Sequence, residues 1–292
     1  MRRQFKDTTT ALAEADPRVA IILGDVSVYM FQDFHRRNPG RFYNMGICEN
    51  TLISVAAGMA ATGLRPFVHT IAPFLTERSL EQIKLDCSYN RWPVNIVTCG
   101  ASFDYAWDGA THHCYTDLAI LRLLPDMEVV QPGSSREVDA ILRTTYDSGK
   151  PTYMRLSDHP HSVETNLEFG KGTVIRDGGT AGVTVMTAGP ILPNVIAACE
   201  GLDVNLVYFH TLKPIDRELI ERFRDTRILV VHDAFGLQEA INEVPGLRTW
   251  YHGLPDQFCA WYGTVHDIRA RIGLDAPGIR KAVSALLDAA AE

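Results

Sequence analysis

None of the six cysteines in this chain stands in a Cys-x-x-Cys pair. Cys48, Cys87, Cys99, Cys114, Cys199 and Cys259 are scattered, which argues against a zinc or dithiol motif. A long apolar run is missing as well. The first residues, Met1-Arg2-Arg3-Gln4-Phe5-Lys6-Asp7, carry charge with no apolar stretch behind them. They read as neither a secretory signal nor a membrane anchor. With the unpaired thiols, this predicts a cytoplasmic protein. Basic residues are not in excess: 28 Lys and Arg face 35 Asp and Glu, a formal charge of −7. That balance argues against nucleic acid or an anionic membrane as the main partner. A locally basic site stays open. The chain has no low-complexity tract, no short repeat and no glycine-rich phosphate loop, which disfavours a stand-alone nucleotide-binding module.

What is present is an ordinary globular composition, 46% hydrophobic and 22% charged, over 292 residues. That length allows two domains and a large core. Two α/β blocks are visible. Strands are predicted at 19–23, 67–70, 94–98, 127–130 and 151–156, with helices at 51–62, 76–89 and 135–147. Residues 157–179 are rich in His, Pro, Gly and charge and read as a linker. The second block predicts strands at 182–187, 204–209 and 228–231, and helices at 192–201, 216–223, 268–271 and 279–290. Strands alternating with helices imply mostly parallel sheets with covered faces. The expected architecture is α/β, two tandem domains over 1–165 and 166–292.

The segment Gly46-Ile47-Cys48-Glu49-Asn50 leads into an Ala/Gly-rich helix. It sets one carboxylate at a helix start, where the macrodipole favours the charged form and nearby apolar surface opposes it. A proton-handling carboxylate needs such a contest. A plain first-turn Glu is the other reading. Next come Arg65-Pro66-Phe67-Val68-His69-Thr70 and then Ile71-Ala72-Pro73-Phe74-Leu75-Thr76-Glu77-Arg78. These read as a strand followed by an aromatic opening a helix. Asp108-Gly109-Ala110-Thr111-His112-His113 lies further on, and Gly253-Leu254-Pro255-Asp256-Gln257-Phe258 near the end.

This ordered set resembles the pyrimidine-binding half of transketolases, and equally of deoxyxylulose phosphate synthases, over nearly the whole chain. The resemblance implies a thiamine pyrimidine-binding parallel-sheet domain followed by a transketolase C-terminal-like α/β domain. It implies that Glu49 hydrogen-bonds a pyrimidine nitrogen of thiamine diphosphate and promotes the imino tautomer that activates the cofactor. By the same similarity Phe74 stacks on the aminopyrimidine, and a core Phe is the alternative. Ile71, one helical turn earlier, forms an apolar floor. Arg78 matches a family position, with a salt bridge at a subunit contact as the other reading. Asp108 contacts a substrate hydroxyl and His112 the reacting carbonyl, unless both sit on a solvated loop tip. His113 stands where relatives carry Gln.

Departures from the family are informative. Cys99-Gly100 occupies the place of a His. Relatives that take sugar phosphates often carry a phosphate-gripping Arg just beyond the strand that ends here as Tyr153-Met154-Arg155-Leu156-Ser157. This chain continues with Asp158-His159. An Asp there repels phosphate, so the expected substrate is neutral or bears an amine, unless Arg155 or a partner supplies the cation. The Gly-Asp-Gly segment that binds Mg²⁺ and diphosphate is also missing, since Gly24-Asp25-Val26 lacks the second glycine. By similarity Asp25 lies near the cofactor at a subunit interface. No residue here is assigned to a metal. The chain therefore reads as the small subunit of a split enzyme, a thiamine diphosphate-dependent transferase active only with a second polypeptide. That partner would carry the diphosphate and Mg²⁺ site in an α₂β₂ assembly. The expected reaction moves a two-carbon ketol or acyl-anion unit from a ketose or 2-oxo acid donor to an aldehyde. The β subunit of a 2-oxo acid dehydrogenase, or a non-catalytic scaffold, are the alternatives.

Overall fold

Five consecutive buried residues, Val19-Ala20-Ile21-Ile22-Leu23, make strand β1 (Val19–Leu23). An uninterrupted apolar run of this length marks a strand covered on both faces. The computed structural model describes residues 1–179 and 181–291. The other strands are β2 (Phe42–Asn44), β3 (Arg65–Ile71), β4 (Asn95–Cys99), β5 (Glu128–Val130), β6 (Thr152–Arg155), β7 (Thr173–Arg176), β8 (Val183–Ala188), β9 (Asn205–Phe209), β10 (Thr211–Lys213), β11 (Arg227–Val231) and β12 (Arg248–His252). The first sheet has the order β10-β5-β6-β4-β3-β1-β2 and the second β12-β11-β8-β9-β7. Every pairing is parallel except β10 on β5 and β7 on β9. The α/β fold read from the sequence is the one observed.

Side chains alternate between the faces of each strand. Ile21, Leu23, Phe67 and Met154 enter one core, with Phe5 and Leu12 of helix Arg2–Ala15 and Val138 and Ile141 of helix Ser135–Thr145. Ile22 and Val68 point the other way, onto Leu52, Ala56 and Ala60 of helix Glu49–Ala61. The same cluster continues into the second sheet through Met186, Val207 and Val230. A polar seam joins the sheets as well. Arg155 donates to Asp117 Oδ1 at 2.8 Å and stands 3.9 Å from Asp233 Oδ1, and Asp233 also pairs with Arg269.

Three expectations are corrected. The helix over 76–89 is broken into Ala72–Thr76, Leu80–Gln82 and a π-helical segment Ile83–Tyr89. The Glu77 and Arg78 amides both turn back to the Pro73 carbonyl, which ends the first piece. Ile71 does not lie in a helix before Phe74: it is the last residue of β3. The segment 157–179 is not all linker, because it contains β7, whose residues are only half-buried at a sheet edge. Among the described residues no helix is long and apolar enough to cross a membrane.

Candidate active site

The C-terminal ends of parallel strands are where open α/β sheets bind ligands. At the ends of β1 and β3 the chain turns sharply. Gly24 donates to the His69 carbonyl at 3.0 Å, and Thr70 Oγ1 donates to the Gly24 carbonyl at 3.1 Å. A Cβ on Gly24 would fall 2.9 Å from Leu52 Cδ1 and 3.0 Å from Thr70 Cβ, so the approach requires glycine. Asp25 follows at a φ of +68°. Asn44 holds it from both sides, accepting from its amide and donating to its carboxylate, each at 3.0 Å. These turns frame a cavity of about 240 Å³ lined by Gly24, Asp25, Val26, Ile47, Glu49, Thr70, Ile71 and Phe74.

Glu49 is the first residue of its helix and is 3% exposed. Arg78 Nη1 donates to its Oε2 at 2.7 Å. The same guanidinium lies 4.5 Å from the centre of the Phe74 ring. One cation thus fixes the carboxylate and the aromatic wall together. The sequence left Arg78 between two readings, and no pattern in it tied Arg78 to Glu49. Asn44 was missed as a partner of Asp25 for a similar reason, since the two lie 19 positions apart.

The loop that follows β4 brings the imidazoles. His112 meets Phe74 edge-on with ring centres 5.2 Å apart, and its Nδ1 lies 2.9 Å from Thr111 Oγ1. His113 turns inward onto Phe103, 5.0 Å away, with neither ring nitrogen hydrogen-bonded among the described residues. Burial lowers its pKa below the ordinary value. Asp108 is exposed and lies outside the cavity lining. Beside it Gly109, at a φ of +73°, lies under the Tyr262 ring, which a Cβ would approach to 2.7 Å. Burial pushes the Cys99 thiol up to about 11, so it stays protonated at neutral pH. The structure therefore gathers Asp25, Glu49, Ile71 and Phe74 around one cavity. It sets His112 at the rim through Phe74 and leaves Asp108 on the surface.

The strand end differs from expectation. Arg155 is 1% exposed and committed to Asp117, so it cannot reach a ligand without dismantling the seam between the sheets. Asp158 is not a bare negative charge. Arg2 grips it bidentately, Nε to Oδ1 and Nη2 to Oδ2, both at 3.2 Å. Arg2 gave no signal in the sequence. Among the described residues no group of three or more His, Cys, Asp or Glu side chains converges to hold a metal.

The sequence profile of the transketolase pyrimidine binding domain matches residues 1–159, and the chain belongs to the transketolase family. Its relatives sharpen this. The chain is 30% identical to one of the subunits of the apulose-4-phosphate transketolase of Phocaeicola vulgatus, over 96% of its own length and 95% of that protein. It is 31% identical over 97% of its length to the 1-deoxy-D-xylulose-5-phosphate synthase of Thermus thermophilus, of which it spans 48%. It thus covers about half of such synthases and nearly all of the Phocaeicola protein. A solved split gene transketolase, described as an inactive β4 tetramer, superimposes with a TM-score of 0.85 at 28% identity, covering 98% of each chain. A transketolase from Leishmania mexicana shares the fold at 17% identity and a TM-score of 0.82, with 45% of that chain covered.

Proposed function

We propose that the chain is the small subunit of a split thiamine diphosphate-dependent transketolase-like enzyme. Residues 1–165 serve as its pyrimidine-binding domain and 166–292 as its C-terminal domain, with β10 added back to the first sheet. The observation that carries this reading is the buried Glu49 carboxylate facing the Phe74 wall in one small cavity. At about 240 Å³ it falls below the roughly 300–1,000 Å³ of sites that enclose a whole ligand. It suits one ring of a cofactor. Arg78 is already engaged with Glu49, so little in the cavity answers to a diphosphate. A second polypeptide would hold the diphosphate and Mg²⁺. Two relatives support this: the Phocaeicola protein is one subunit of its transketolase, and the β4 tetramer is inactive.

Thiamine diphosphate, when bound, supplies the nucleophilic carbon for moving a two-carbon unit. The chain's own residues do the rest. Arg78 holds Glu49 Oε2, which leaves Oε1 for a ring nitrogen. Phe74, Ile71 and Ile47 present apolar surface that orients the ring and excludes water. Asp25, fixed by Asn44, lines the same cavity. His112 stands at the rim, where an imidazole can hydrogen-bond a developing alkoxide and pass a proton. Asp108, exposed on the same loop, meets a substrate hydroxyl.

Calorimetry tests this. Thiamine diphosphate with Mg²⁺ is titrated into the chain alone and into the chain with its candidate partner, for wild type and Glu49→Gln. Tight binding only with the partner, and loss of donor turnover in Glu49→Gln, is the expected result. No binding in a complex shown to assemble would leave a scaffold as the better reading.

A further inference from the structure

We infer that Tyr262, from the second block, is a positioning residue that holds His112 at the rim of the Glu49 cavity. The inference rests on the function proposed above and adds the second block to the same site. His112 is the last residue of a tight turn. Its amide donates to the Gly109 carbonyl at 3.0 Å, and the Gly109 amide donates to the Ala106 carbonyl at 3.2 Å. Gly109 is thus the corner from which His112 hangs. It is buried, although Trp107, Asp108, Ala110 and Thr111 around it are exposed. The Tyr262 ring covers it: a Cβ on Gly109 would fall 2.7 Å from Cε1 and 3.1 Å from Cζ. With φ at +73°, both the backbone and this contact require glycine at the corner.

The rest of this loop is fastened to the second block as well. At its neck Ser102 and Cys114 exchange backbone hydrogen bonds of 2.8 and 2.9 Å. The Ser102 hydroxyl donates to the Asp233 carbonyl, and the Phe235 amide donates to the Tyr115 carbonyl at 2.8 Å. In the middle, Phe103 and Ala106 share one apolar cluster with Leu254, Cys259, Val265 and Ile268. Neck, middle and turn therefore each lean on the second block. From the first block, Phe74 meets the His112 ring edge-on.

Tyr262 is itself firmly borne. Two residues on, Thr264 caps helix Val265–Arg271. Its Oγ1 accepts from the Asp267 amide at 3.2 Å, and Asp267 Oδ2 accepts from the Thr264 amide at 2.8 Å. Arg269 of that helix pairs with buried Asp233. The Tyr262 side chain is nevertheless 70% exposed, so it adds little to any core. Its contact falls on the turn instead. A surface turn with few buried contacts opens locally at low cost. A group that passes a proton must keep its distance and angle to the reacting atoms. The ring supplies the missing contact at the corner, and His112 keeps its place against Phe74.

Tyr262→Ala and Tyr262→Phe test this in the assembled complex, with its partner, thiamine diphosphate and Mg²⁺. Hydrogen–deuterium exchange read by mass spectrometry follows the peptide spanning 105–113, and consumption of hydroxypyruvate or pyruvate follows the site. Tyr262→Ala is expected to raise exchange in that peptide about tenfold, because the turn protects the Gly109 and His112 amides. It is expected to lower kcat about tenfold. The thiamine diphosphate Kd and the urea midpoint stay at their wild-type values, since Glu49, Phe74 and the core are untouched. Tyr262→Phe keeps the ring and is expected to restore both exchange and kcat. Exchange unmoved in Tyr262→Ala overturns the inference, whatever kcat does. So does an equal loss in Tyr262→Phe, or a urea midpoint and cofactor affinity that fall in step with kcat. Raised exchange with kcat unmoved keeps the brace and removes His112 from the proposed reaction. Absent donor consumption in a cofactor-loaded wild-type complex overturns the functional reading itself, before either variant is compared.

Discussion

Glu49 is buried, yet its partner Arg78 is half-exposed. The pair therefore sits between the regimes of surface and interior ion pairs, and Arg78→Ala is expected to lower stability by about 1 kcal/mol. Combining it with Glu49→Gln in a double-mutant cycle should cost little more than either change alone, as read by urea denaturation. Phe74→Ala leaves the fold intact and weakens thiamine diphosphate binding to the assembled complex by about 0.5–1.5 kcal/mol, as read by calorimetry. His69 shows what burial does to an imidazole. Its Nδ1 lies 2.9 Å from the Val97 carbonyl and its Nε2 3.1 Å from Ser27 Oγ, and burial lowers its pKa from 6.5 to about 4. Below pH 6.5 the unfolded chain takes up a proton that the native chain refuses. Stability from this residue is complete above 6.5 and declines as the pH falls toward 4, by about 1.4 kcal/mol per unit. His232, fully buried beside Gln131, shifts the same way. Urea midpoints across that window should fall with acid, and His69→Gln should flatten part of the decline. At this scale Glu49, Phe74 and His112 were singled out because the ordered motifs that carry them resemble those of transketolases. The contacts Arg78–Glu49, Asn44–Asp25 and Arg2–Asp158 were not legible, because each forms only through the fold.

The helix Ser135–Thr145 shows how an element is fixed at its start. Ser134 accepts from the Glu137 amide at 3.2 Å, and Glu137 returns the bond to complete a capping box. Removing the cap in Ser134→Ala should cost about 1 kcal/mol. Glu137 does more. Its carboxylate also accepts from the Gly133 amide at 2.6 Å and the Tyr208 hydroxyl at 2.9 Å, and from Thr165. It ties one helix to β9 and to the segment between the sheets, so Glu137→Ala should cost about 3 kcal/mol or more, clearly above Ser134→Ala in the same denaturation assay. Elements with one strong pattern were readable in the sequence. β1 was read with its true bounds, since five apolar residues end at a glycine turn. The helix from Glu49 was read with that carboxylate at its start, although its bounds were set at 51–62 rather than Glu49–Ala61. β2 and β10 have three residues each and lie at the two borders of the first sheet, each paired with one strand. β12, Arg-Thr-Trp-Tyr-His, is an edge strand whose mixed side chains carry no simple alternation.

At the scale of the whole molecule, the two sheets are held by charge as well as by apolar packing. Asp117, Arg155, Asp233 and Arg269 form a buried chain of alternating sign. Asp233→Ala leaves two guanidinium groups short of a counter-charge and should destabilise the protein by about 3–5 kcal/mol, with a single cooperative transition giving way to two in a denaturation curve. The sequence offered Arg155 as a ligand candidate because its true partner is 38 positions away. Pairs so distant become visible only when the chain is folded.

β10 carries a consequence for how such a protein can be divided. Thr211–Lys213 belongs by sequence to the second block, yet it pairs antiparallel with β5 and closes one border of the first sheet. A gene cut at the linker would yield a front half in which β5 keeps β6 but bares its outer edge, a ready template for aggregation, and a back half carrying a strand with nowhere to dock. The pair of domains is therefore the smallest inheritable unit here. Recombination that preserves function must move both sheets as one cassette.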